Sequence, residues 1–153
     1  MTAFTVIPED GLRKAVRDNL AAYGTPDEVV FFEPTGMSGF YHNPEPDYQQ
    51  IRDGARAASR VIVGATGQHA NESWAIEAAA EFDKPCGLIL KTEQLPIWAS
   101  MSLVHRLRPF QFVIALGRTP RRAANFFNKA AFFNVFDIEH RRLSELISHR
   151  EVV

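Results

Sequence analysis

Disulfide chemistry is closed to this chain, because its 153 residues include one cysteine. Cys86 has no partner within the chain and leaves a cysteine-based metal centre without ligands. It opens an apolar run at 86–90, which reads as a buried thiol rather than a reactive one. A chain without disulfides suits a reducing compartment, so the expected location is cytoplasmic. Long hydrophobic runs are also missing. No stretch approaches the roughly 18 apolar residues of a membrane span, and none is expected. Residues 1–10 lack a basic stretch followed by an apolar core, so no signal peptide is expected. A net charge of −1 gives no general attraction to nucleic acid or to a membrane surface. No His-x-x-x-His pattern or His/Asp cluster points to a metal, and the expectation is none. The small-residue stretch from Gly64 to Gly67 is neither a dinucleotide fingerprint nor a P-loop, and no cofactor is expected.

What is present is enough apolar residue, 46% of the chain, to bury a core in one domain spanning 1–153. Apolar runs at 4–7, 28–32, 61–63, 86–90 and 111–116 read as strands. Between them lie helical patterns. Residues 11–23 carry Leu12, Val16 and Leu20 on one face, closed by Gly24 as a C-cap. Residues 47–59 read as a helix capped by Asp47, and 71–82 and 96–107 as two more. Thr119 and Pro120 open a further helix as N-cap and first position. A short edge strand at 134–138 and a terminal helix at 139–149 complete the reading. Alternating strands and helices predict a doubly wound, flavodoxin-like α/β sandwich with a mostly parallel sheet of about five strands. Phe126, Phe127, Phe132 and Phe133, flanked by alanines, are expected to form a wide apolar helix surface. Such a surface is buried in the core or against another copy, so a homo-oligomer is expected.

In such a sheet, ligands bind beyond the carboxyl ends of the strands. The loop and helix after the third strand, 64–77, hold the residues suited to that place. Glu77 and Trp74 share a helical face, putting a carboxylate beside an indole able to stack on a base. Thr66, Gln68, His69 and Asn71 offer groups for sugar hydroxyls. The long loop at 34–46 follows the neighbouring strand, and loops of this length are usually functional or mobile. Its Phe40, Tyr41 and His42 could line a base pocket, and Asp47 could hold a ribose hydroxyl. Plainer readings stay open beside these. Glu72 reads as an acid favoured by the helix dipole, Glu77 as part of a solvated face, and Asp47 as a cap. Arg118, Arg121 and Arg122 read as a solvated surface more readily than as a phosphate site.

The third strand, the Ser73-Trp74 helix start with Glu77, and the Asp83-Lys84-Pro85 turn resemble nucleoside 2-deoxyribosyltransferase-like domains. They also resemble the related TIR-like domains, as do Glu9 and Asp10 after the first strand. The likeness covers roughly residues 1–91. It implies cleavage or transfer at the N-glycosidic bond of a nucleoside, nucleotide or NAD, with Glu77 as the catalytic carboxylate. The reading of the residues then places Thr66, His69, Asn71, Trp74, Tyr41 and Asp47 around the substrate. The chemistry is coherent, because a carboxylate can stabilise the oxocarbenium-like sugar, bond to it, or activate water. The alternative is a non-catalytic nucleotide-sensing or protein-interaction module on the same fold.

Overall fold

A computed structural model describes residues 2–24, 28–33, 44–65, 70–94, 110–118, 131–135, 138 and 143–147. The strands are β1 (Thr2–Val6), β2 (Glu28–Phe31), β3 (Arg60–Ala65), β4 (Cys86–Lys91), β5 (Phe112–Leu116) and β6 (Ala131–Val135). They form one sheet in the order β2-β1-β3-β4-β5-β6, and every neighbouring pair is parallel. This is the expected doubly wound architecture with a sixth strand on its far edge. The helices are α1 (Asp10–Tyr23), α2 (Pro44–Ala57), α3 (Ala70–Glu81) and α4 (Leu143–Ile147). Among the described residues no helix is long and apolar enough to cross a membrane.

The central strands are apolar on both faces because both faces are covered. Phe4, Val6, Val61, Val63, Leu88, Leu90, Val113 and Ala115 point toward α2 and α3. Ala3, Ile62, Ile89, Phe112 and Ile114 point the other way, toward α1 and α4. Burying a side chain the size of Phe112 contributes about 2–3 kcal/mol. Two glycines make room for aromatic rings, one between helix and sheet and one between neighbouring strands. A Cβ on Gly54 of α2 would lie 2.4 Å from the Phe4 ring, and one on Gly87 of β4 would lie 2.0 Å from Phe112. The alanines of α3 let the layers approach closely. Ala75, Ala78 and Ala79 are buried where this helix meets the sheet. Cys86 is a buried thiol, as its apolar run implied.

Two boundaries differ from expectation. α2 begins at Pro44, so Asp47 lies inside its first turn and is not its cap. Proline suits that opening position because its missing N–H would be unpaired there anyway. The last strand is Ala131–Val135 rather than 134–138. Phe132 and Phe133 therefore stand on a strand, not on the expected helix surface, and strand alternation sends them to opposite faces. The expected helix at 96–107, the helix begun at Thr119, and Phe126 and Phe127 lie outside the described residues.

Candidate functional site at the carboxyl rim

Parallel strands bring all their carboxyl ends to one rim, and the sheet order changes direction between β1 and β3. At such a switch point the loops leave for opposite faces and open a crevice. Here β1 leads to α1 on one face and β3 leads to α3 on the other. Glu9 stands on the first side, and Asn71 and Glu72 stand on the second.

The α1 side is a network of charge. Lys91 Nζ, at the end of β4, donates to Glu9 Oε1 at 2.7 Å. β3 lies between β1 and β4, so this ion pair spans the end of β3. Arg13 donates to the Ile7 carbonyl at 2.9 Å and pairs with Asp10 at 2.5 Å, holding the turn that enters α1. Arg17 pairs with Glu33 beyond β2. Thr92 Oγ1 donates to the Leu116 carbonyl at 3.1 Å, tying the ends of β4 and β5 together. Gly117, at φ 118°, carries the chain past Thr92 to Arg118, whose side chain is exposed.

The α3 side is built from the starts of two helices. Tyr48 of α2 and Trp74 of α3 meet edge to face, with ring centroids 5.4 Å apart. That contact sets the two helix starts side by side. Beside it lie three buried polar residues: Asp47 at 0% exposure, Asn71 at 1% and Glu72 at 2%. Each has interactions of its own with the surrounding protein. Glu72 stands in the first turn of α3, as its helix-dipole reading expects, and is buried there as well. An ionised group taken out of water needs specific partners as well.

Glu77 has the opposite environment. It is exposed on the second turn of α3. Glu81, one turn further on, takes both guanidinium nitrogens of Arg52, at 2.7 and 2.9 Å. Arg52 also lies over the Tyr48 and Phe82 rings. Its pKa is raised above the usual arginine value, first by the Glu81 hydrogen bond and then by Tyr48. The nearby cation is thus engaged with Glu81. Among the described residues the Glu77 carboxylate has neither hydrogen bond nor ion pair.

Of the residues singled out from the sequence, Asp47, Asn71 and Trp74 are brought to one corner of the rim. Glu77 lies on the same helix but faces solvent. Thr66, His69 and Tyr41 lie outside the described residues. Sequence reading missed Tyr48 as the partner of Trp74, and it missed Lys91. A charged residue directly after a buried apolar strand was the available signal for Lys91. Among the described residues no three His, Cys, Asp or Glu side chains gather as a metal site would require. No family model matches this chain, and comparison with curated proteins returns no match.

Proposed function

We propose that the protein cleaves or transfers the N-glycosidic bond of a nucleoside, nucleotide or NAD, with Glu77 as the catalytic carboxylate. The observation that carries this reading is the corner formed by the starts of α2 and α3 at the switch point. There a Tyr48–Trp74 ring pair stands beside buried Asp47, Asn71 and Glu72. The aromatic pair supplies apolar surface for a base. The resemblance of residues 1–91 to deoxyribosyltransferase-like and TIR-like domains supports the choice of reaction.

Two of the three α3 glutamates, Glu72 and Glu77, divide the work by environment. A nucleophile or electrostatic stabiliser must reach the sugar, and Glu77 is accessible. Glu72 is buried and held by the fold, so it serves the start of α3 rather than the substrate. Thr66, His69 and Tyr41 complete the substrate contacts in this reading. The compartment is taken to be the cytoplasm. Self-association of copies through the segment containing Phe126 and Phe127 belongs to the same reading and is measurable by light scattering.

The test is incubation with a panel of nucleosides, nucleotides and NAD, followed by chromatography for released base. Release that disappears in Glu77→Gln supports the proposal. A second reading, a sensor that binds nucleotide without turnover, is favoured by the exposure of Glu77, since a solvated carboxylate acts in high dielectric. Thermal stabilisation by a nucleotide with no base released selects that reading.

A further inference from the structure

The crevice carries one cation whose placement the glycosidic reading does not use. Lys91 grows from the end of a strand whose residues 86–90 are all buried, so its backbone is fixed by the core. Its Nζ lies across the end of β3, over the switch point, where it meets Glu9. An ammonium has three N–H donors, and among the described residues Glu9 engages one, which leaves two to meet an incoming anion. The side chain is 38% exposed, which gives an anion access. The neighbouring acids do not cancel this charge. Asp10 is taken by Arg13, and Glu33 by Arg17. Glu93, two residues beyond, is exposed and makes no ion pair with Lys91 among the described residues. Arg118 adds a second positive charge at the end of the adjacent strand, exposed and with no ion pair among the described residues.

From this placement we infer that Lys91 recognises the phosphate of the substrate, so that the protein acts on a nucleotide in preference to a free nucleoside. The inference rests on the glycosidic reading above and names its substrate class. Lys91 and Glu9 stand on the α1 side of the crevice, and Trp74 and Glu77 belong to α3 on the other side. A nucleotide has the same polarity, with its phosphate and its base on opposite sides of the ribose. A lysine ammonium binds phosphate as a point charge and requires no fixed fork geometry. Glu9 is the holding partner, keeping the chain of Lys91 extended over β3 until the phosphate arrives.

The experiment compares nucleosides with their 5′-monophosphates, by turnover and by ligand-induced thermal shift, in the wild type, Lys91→Gln and Glu9→Gln. The wild type is expected to prefer the monophosphates. Lys91→Gln should reduce that preference about tenfold or more, the scale of a hydrogen bond to a charged group. Glu9→Gln breaks the same ion pair but keeps the cation, so the preference should persist or grow. Equal handling of nucleosides and monophosphates by the wild type overturns the inference. So does an equal loss of preference in both variants, because the ion pair is then only a structural tie. If no base is released from any compound, the glycosidic reading fails by itself and the thermal shifts decide on Lys91. Stabilisation by a monophosphate that is lost in Lys91→Gln and retained in Glu9→Gln upholds the phosphate site. Equal stabilisation by nucleoside and monophosphate removes it.

Discussion

The two ends of the sheet use charge in different ways. At the amino end, Arg60 opens β3 and is only 4% exposed. Its Nη1 donates to the carbonyl of Ile147 at 2.6 Å, closing the last turn of α4 against the sheet. The backbone there is tied in the same manner, with Ser59 N–H on the Thr2 carbonyl and Gln111 N–H on the Cys86 carbonyl. At the carboxyl end Asp47 and Glu72 are buried, but other charges stay reachable. Glu9 and Lys91 are 36% and 38% exposed, and Glu77 is open to solvent. Buried charge that ends on a backbone carbonyl holds the fold together. Charge left half in water at a switch point is available to a ligand.

The comparison can be broken by separating stability from ligand response. The largest stability effect is expected midway between the two ends, at Gly87→Ala. Its new Cβ would lie 2.0 Å from the Phe112 ring, and overpacking of this kind costs about 3 kcal/mol. Urea unfolding should show the loss, and both ends should suffer together. Arg60→Ala comes next. It removes the donor to Ile147 and leaves a buried carbonyl unpaired, a cost of about 2 kcal/mol. Ligand-induced thermal shifts, measured relative to the variant's own melting point, should be unchanged. A lost ligand response would mean that the amino end is not purely structural.

Glu9→Gln should have a small effect. The exposed Glu9–Lys91 pair contributes at most about 1 kcal/mol to stability, and its loss should be read by unfolding at low and high salt. A much larger loss would make this pair part of the scaffold, and the contrast between the two ends would disappear. Arg52→Ala should move the urea midpoint least of all, because its pair with Glu81 also faces solvent.

How far the sequence revealed this structure depended on the range of the interaction. The strands were legible because buried parallel strands are continuous apolar runs bounded by polar turns. Gly24 was legible as a helix end, and its N–H does bond the Leu20 carbonyl at 2.7 Å. Ala131, Phe132 and Phe133 were read as helix because a short apolar run fits either period. Pairing with β5 decides the matter, and no local pattern reports it. The site was legible as a place more than as a set of contacts. Asn71, Trp74 and Asp47 were named, but the burial of Glu72 and the exposure of Glu77 depend on how α3 turns against α2 and the sheet. The Glu9–Lys91 contact joins residues 82 positions apart in the chain, so only the sheet order brings them together.

The measurement that bears most directly on the central claim is base release, followed by chromatography, in the wild type, Glu77→Gln and Glu72→Gln. Glu77→Gln keeps the side chain's shape and removes its charge. The account expects it to fold and bind nucleotide but to lose at least about a hundredfold in turnover. Glu72→Gln is expected to lose far less turnover and to show its effect in stability. The reverse ranking would transfer the catalytic role to the buried carboxylate. Turnover unchanged in both variants would contradict the proposal that an α3 glutamate performs glycosidic chemistry at this rim.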